Sequence, residues 1–244
     1  MGKVIAVASG KGGTGKTMFV ANLGATLSMA GYKVAVVDMD TGLRNLDLYL
    51  GLENNVVYDV NDVMQGVCRI KQALIRDKSF PGLYLMAGAP KRPDGETTPL
   101  HMKVLCRKLT EQFDYVIVDG PAGIDDGLAI AAAGADMAVI VMSPDYAAAR
   151  DGDMVRMVLK EMGVPKIGFL INKLSMDMIR KGFAPDVSDL TRGFQKDLLG
   201  VIQMDENIQV STNLGVPIVF MQETYIAENF RNIAGRIREV VDGE

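Results

Sequence analysis

Three groups of residues have types and spacings that could do chemistry. The first is Gly10-Lys11-Gly12-Gly13-Thr14-Gly15-Lys16-Thr17, which fits the phosphate-loop pattern G-x-x-x-x-G-K-[ST]. Glycine lets the main chain come close to an anion, and amide groups at a helix start point at its oxygens. Lys16 would meet the β and γ phosphates of a nucleoside triphosphate. The Thr17 hydroxyl would complete a Mg²⁺ shell made mostly of water and phosphate. The expected cofactor-binding residues are therefore Gly12, Gly13, Thr14, Gly15, Lys16, Thr17 and Met18. The second group is Asp38-Met39-Asp40 at the end of a short apolar run, where period-two geometry puts both carboxylates on one side. They leave the sheet at its carboxyl edge, where open α/β sheets bind ligands. This makes Asp38 a candidate metal ligand, although both residues could simply cap a loop. The third is Tyr115-Val116-Ile117-Val118-Asp119, an apolar run ending in a carboxylate that would hold Mg²⁺ through a water.

Regular elements must bring these groups together. Apolar runs predict strands at residues 3–8, 34–37, 83–86, 115–119, 137–142, 166–171 and 199–202. Helical spacing predicts a helix over 16–30 with Phe19, Val20, Leu23 and Leu27 on one face, stopped at Gly31. Residues 59–64 and 70–75 read as short helices, and 87–97 as a loop punctuated by glycine and proline. Thr98-Pro99 opens a helix with Leu100, Val104, Leu105 and Leu109 as its buried face and Lys103, Arg107 and Lys108 on its solvated side. Asp125-Asp126 fits a further helix start, and residues 145–162 read as the helix joining two strands. The final helix has a docking face of Ile226, Phe230, Ile233, Ile237 and Val240. Right-handed β-α-β connections then give an α/β fold of three layers, a mainly parallel twisted sheet with helices on both faces. A single domain over 1–244 is the simplest organisation.

Composition narrows the function classes. The 244 residues are 48% apolar and 23% charged, enough for a sizeable core, with a net charge of −4. No general basic field advertises a nucleic-acid partner. There is no apolar stretch of about 18 residues and no signal-peptide pattern, so a cytoplasmic location is expected. Cys68 and Cys106 are isolated and His101 is the only histidine, a pattern of ordinary thiols rather than of a metal site. The 16 methionines read as adaptable core filling.

The phrase from Ser9 to Thr17 carries a second lysine, Lys11, which ordinary phosphate loops do not need. It resembles the deviant phosphate loop of the MinD/ParA family of P-loop ATPases. In that family the early lysine reaches across a dimer to the partner's nucleotide. Residues 38–51, DMDTGLRNLDLYLG, with NNVVYDV soon after, resemble the switch I region of the family's division-site members. That resemblance implies that Asp40 sits by the attacking water and that the segment responds to the γ-phosphate. Gly120-Pro121-Ala122-Gly123-Ile124 resembles switch II, and Asn172-Lys173 matches the place where the family sets an asparagine amide against adenine. Gln203 replaces the proline of the usual I-P-x-D phrase.

The resemblance runs from Val4 to about Val241. It implies Mg²⁺-dependent hydrolysis of ATP to ADP, with Lys11, Lys16 and Asp40 catalytic. It also implies an ATP-dependent homodimer and an effector protein, in spatial regulation of cell division or cellular positioning. A ParA-type partition or flagellar-number ATPase shares the loop, but the acidic balance argues against a DNA-binding surface. Iron–sulfur carriers or reductases on this fold need paired cysteines, and ligases on it would show substrate-dependent ATP turnover. Division-site members usually carry a short basic amphipathic tail. The sequence stops at Asp242-Gly243-Glu244 without one, so membrane association is expected only through a missing tail or a partner.

Overall fold

Runs of valine, isoleucine and alanine without polar alternation suit strands buried on both faces. The structure, a computed structural model, describes residues 1–40, 44–90, 97–221 and 224–243. Thr41-Gly42-Leu43 of the switch I phrase, residues 91–96 of the expected loop, and Glu244 lie outside the described residues. The first half of the chain runs β1 (Lys3–Ser9), α1 (Lys16–Met29), β2 (Val34–Asp38), α2 (Leu46–Tyr49), α3 (Val60–Met64), α4 (Ile70–Ala73), β3 (Leu74–Arg76), β4 (Leu83–Met86), α5 (Pro99–Leu109) and β5 (Tyr115–Ala122). The second half continues with α6 (Asp126–Ala131), β6 (Met137–Met142), α7 (Tyr146–Glu161), β7 (Ile167–Leu174), α8 (Met176–Arg180), α9 (Val187–Leu190), β8 (Leu198–Gln203), α10 (Glu206–Asn213) and α11 (Tyr225–Asp242).

The strands form one eight-stranded sheet in the order β3-β4-β2-β5-β1-β6-β7-β8. Each neighbouring pair is parallel except β3 against β4. Alternation along β1 divides the core: Ile5 and Val7 face the layer built by α1 and α11. Val4, Ala6 and Ala8 face the layer built by α5, α6 and α7. α1 lies between the sheet and α11 and is buried almost all round, beyond the single face its periodicity suggested. Phe19 stacks on Phe230 across that layer, with ring centroids 6.1 Å apart.

Three sequence expectations are corrected. Residues 70–75 do not make one helix, because after one turn the chain extends and Ile75 pairs with Leu85 on the edge of β4. The open edge of β4 offers donors and acceptors that another helical turn could not use. On α5 the buried stripe is Met102, Leu105, Cys106 and Leu109, whereas Leu100 and Val104 are exposed beside Lys103 and Arg107. On α11 the buried face ends with Val241 rather than Val240, as a repeat of 3.6 residues drifts from Ile237. Among the described residues, no helix is long and apolar enough to cross a membrane.

Candidate functional site

The carboxyl ends of β1, β2, β5 and β7 converge on one cavity of about 950 Å³. β1 ends at Ser9, and the chain then turns through Gly13 and Gly15, both left-handed at φ 76° and 94°, before entering α1. Only glycine takes such a pair of turns without strain. Lys16 is buried, and its ammonium donates to the Ser9 hydroxyl at 2.9 Å. That hydroxyl in turn donates to the Lys11 carbonyl at 2.7 Å. Burial lowers the Lys16 pKa, while the Asp119 and Asp40 charges oppose the shift. Thr14 Oγ1 is buried in the loop without a partner.

Adjacent strands β2 and β5 place Asp38 opposite Asp119 in register. Asp119 is fully buried and neither of its oxygens has a well-formed hydrogen bond. Burial first and the Asp38 charge second push it up to about 8, although the Thr17 hydroxyl and the Lys16 ammonium favour its charged form. Asp38 behaves differently. One of its oxygens accepts the Asp40 amide at 2.9 Å and the other accepts the Asn45 and Leu46 amides, each at 3.3 Å. Burial still outweighs those bonds and raises Asp38 to about 6. Period two therefore holds only as far as the strand does. β2 ends at Asp38, which turns back onto the backbone, and Asp40 lines the cavity beyond it.

β7 runs through Leu174, so Asn172 lies within the strand rather than in a loop after Ile171. The buried Asn172 Nδ2 donates to the Thr14 carbonyl at 2.8 Å. Lys173 donates from Nζ to the Gly13 carbonyl at 2.7 Å. Lys11 turns outward from the loop to an ion pair with Asp151 on α7 at 3.2 Å. Pro121 and Ala122 reach the cavity because β5 continues past Asp119, with Ala122 paired to Ser9. Gln203, Met204 and Asp205 also line the cavity, and Asp205 caps α10 by accepting the Asn207 amide at 2.8 Å.

The structure thus brings together Gly12, Gly13, Gly15, Lys16, Thr17, Met18, Asp40 and Asn172 around one cavity, while Asp119 is fully buried and does not line it. It leaves Lys11 pointing away, at α7. Ser9, Asp151, Tyr49 on the cavity lining and the contact made by Lys173 are site features that residue types alone did not single out. Ser9 could have been found as the small polar residue ending β1, but the other three are contacts set by the fold. Cys106 is buried within α5, and burial pushes its thiol up to about 12. No cluster of three or more metal-binding His, Cys, Asp or Glu side chains occurs among the described residues.

Known proteins resemble this chain in sequence and in fold. Residues 5–218 match the CobQ/CobB/MinD/ParA nucleotide binding domain. The septum site-determining protein MinD of Bacillus subtilis (strain 168) is 38% identical over 97% of this chain and 89% of its own length. The MinC:MinD cell division protein complex of Aquifex aeolicus contains a chain that superimposes with a TM-score of 0.89 at 34% identity, covering 99% of this chain and 96% of that one. MinD of Pyrococcus horikoshii OT3, solved as a complex with Mg-ADP, gives 0.86 at 30% identity over 97% and 96%. The chain belongs to the CobQ/CobB/MinD/ParA family of nucleotide-binding domains, and within it groups with the MinD proteins.

Proposed function

We propose that this protein is a Mg²⁺-dependent ATPase that dimerises with ATP and acts as a molecular switch in placing the division septum. The observation that carries this reading is the buried Asp119 carboxylate, unpartnered beneath a glycine loop and close to Thr17 and Lys16. An unpaired buried carboxylate is costly, and a hard divalent cation with oxygen ligands is a fitting counter-charge. Thr17 and Asp119 would hold Mg²⁺, Asp119 through a water. Bound there, the ion would neutralise charge on the β and γ phosphates.

The chain's own residues divide the remaining work. Lys16 would carry charge to the β and γ phosphates from a position already fixed by Ser9. Asp38 would act from behind, its three amide contacts shaping the segment that brings Asp40 to the cavity. Asp40 would position water for in-line attack, and Lys11 would serve the nucleotide of a second copy. Asn172, held to the loop through the Thr14 carbonyl, would set its amide against adenine. The septum role of the Bacillus relative and the MinC complex of the Aquifex relative support an effector of the MinC kind as partner. The Mg-ADP of the Pyrococcus relative supports ATP and ADP as the ligands. A partition role has weaker support: the plasmid partition protein of Borrelia burgdorferi resembles this chain at 18% identity, a likeness of fold alone.

Titration with a fluorescent ATP analogue tests the reading. Wild type should bind with Mg²⁺, and Lys16→Ala should bind on the order of 100-fold more weakly, because a buried charge-assisted contact is lost. Near wild-type affinity in Lys16→Ala would sink the phosphate-loop assignment. Thr17→Ala should show its larger loss only when Mg²⁺ is present.

A further inference from the structure

Lys173 is the one non-glycine residue with left-handed backbone among the described residues, at φ 62°. A lysine gains nothing locally from that conformation, since its Cβ crowds the following carbonyl. What holds it there is visible in its contacts. Asn172 Nδ2 donates to the Thr14 carbonyl and Lys173 Nζ to the Gly13 carbonyl, at 2.8 and 2.7 Å. Two successive residues of β7 therefore grip two successive carbonyls of the phosphate loop. Neighbouring side chains of a regular strand point to opposite faces, so both could not reach one loop without a local turn. The left-handed residue supplies that turn, and a strained conformation persists only where the surroundings enforce it.

The grip falls where the loop is least able to hold itself. Gly13 and Gly15 are both left-handed, and glycine is the residue whose backbone loses most freedom on being fixed. The fit is close: a Cβ on Gly15 would collide with Asn172 Nδ2. Anchoring the Gly13 and Thr14 carbonyls on the β7 side fixes the orientation of the following peptide groups. Their amides are left free for an anion, in the manner of a backbone nest.

We infer that Lys173 is a positioning residue of the nucleotide site. It acts through the Gly13 carbonyl to hold the phosphate loop in its anion-binding shape before a nucleotide arrives. This rests on the phosphate-loop reading above, and it goes beyond it by assigning a role to a residue outside the loop's own motif. The ammonium is exposed, so its effect is smaller than that of buried Lys16.

Lys173→Gly and Lys173→Asn test it, since glycine and asparagine tolerate left-handed backbone and neither carries the ammonium. Calorimetric titration of each variant with Mg·ATP and with inorganic tripolyphosphate separates the loop from the base, because tripolyphosphate has no base to contact. Both variants should bind both probes about three- to tenfold more weakly, in the same proportion, with an unfolding midpoint equal to or above that of wild type. A merely structural role would lower the midpoint and spare the affinities. Unchanged affinity for both probes overturns the inference. So does a loss confined to ATP, which would make Lys173 a base contact. Wild type binding neither probe would overturn the phosphate-loop reading, and this inference with it.

Discussion

Asp119 and Lys16 are both buried, and each is held away from its ordinary protonation behaviour chiefly by desolvation. In the protein without metal or nucleotide, Asp119 is raised to about 8 and Asp38 to about 6, from an ordinary 3.8. The folded chain then keeps protons that the unfolded chain has released. Stability from these groups is present in full below pH 4 and is lost as pH rises through 6 and then 8. Unfolding free energy in EDTA should therefore fall as pH rises from about 3 to 8, by roughly 3 kcal/mol for Asp38 alone, at about 1.4 kcal/mol per unit over the interval from 3.8 to about 6. Asp119→Asn should remove the upper part of that fall and stabilise the metal-free protein at pH 8. Urea unfolding at several pH values checks both, and stability that rises with pH would contradict the burial argument. Residues of this kind were legible in the sequence where backbone need shows in the letters, as at Gly13, Gly15 and Lys16. Lys173 was not, because its partner is Gly13, 160 residues away, and its left-handed turn has no glycine to announce it.

At the level of elements, strands were the more legible, since a parallel sheet buried on both faces needs continuous apolar runs such as Met137–Met142. Helix faces were less so. On α5, Leu100 and Val104 fit helical spacing with Leu105 and Leu109 as well as Met102 and Cys106 do. Only packing against α6 and the sheet decides between the two stripes. The charges held a usable clue, because Lys103 and Arg107 flank Val104 and leave the Met102 side clear. Met102→Ala should therefore cost about 2–4 kcal/mol through a cavity in a closed layer. Val104→Ala should change stability by about 0.5 kcal/mol or less. Thermal and denaturant unfolding of the two variants gives the comparison, and equal losses would mean that the face is misassigned. The short β3 was missed for another reason. Its three residues carry no period of their own and become a strand only because β4 has an edge to pair.

For the whole molecule, the consequence of the fold is that one sheet edge presents a lysine with two possible attachments. In the single chain, Lys11 pairs with Asp151 at 3.2 Å, with the two side chains 48% and 35% exposed. Such a half-exposed pair contributes at most about 1 kcal/mol, so leaving it costs little. The triphosphate of a second copy, docked against this edge, would offer several negative charges in a less solvated place, a stronger partner than one surface carboxylate. Lys11→Ala should therefore keep ATP binding, which depends on Lys16 and the loop amides, and lose the ATP-bound dimer. Asp40→Ala should do the opposite. It removes the group that would position water and keeps the phosphate contacts, so hydrolysis slows and the ATP-bound dimer accumulates. Wild type should be monomeric with ADP and only transiently dimeric with ATP. Light scattering of the three proteins with each nucleotide, alongside phosphate release, separates these cases. If Lys11→Ala dimerises with ATP as readily as wild type, the lysine belongs only to its own loop and its pair with Asp151, and the switch loses its main support.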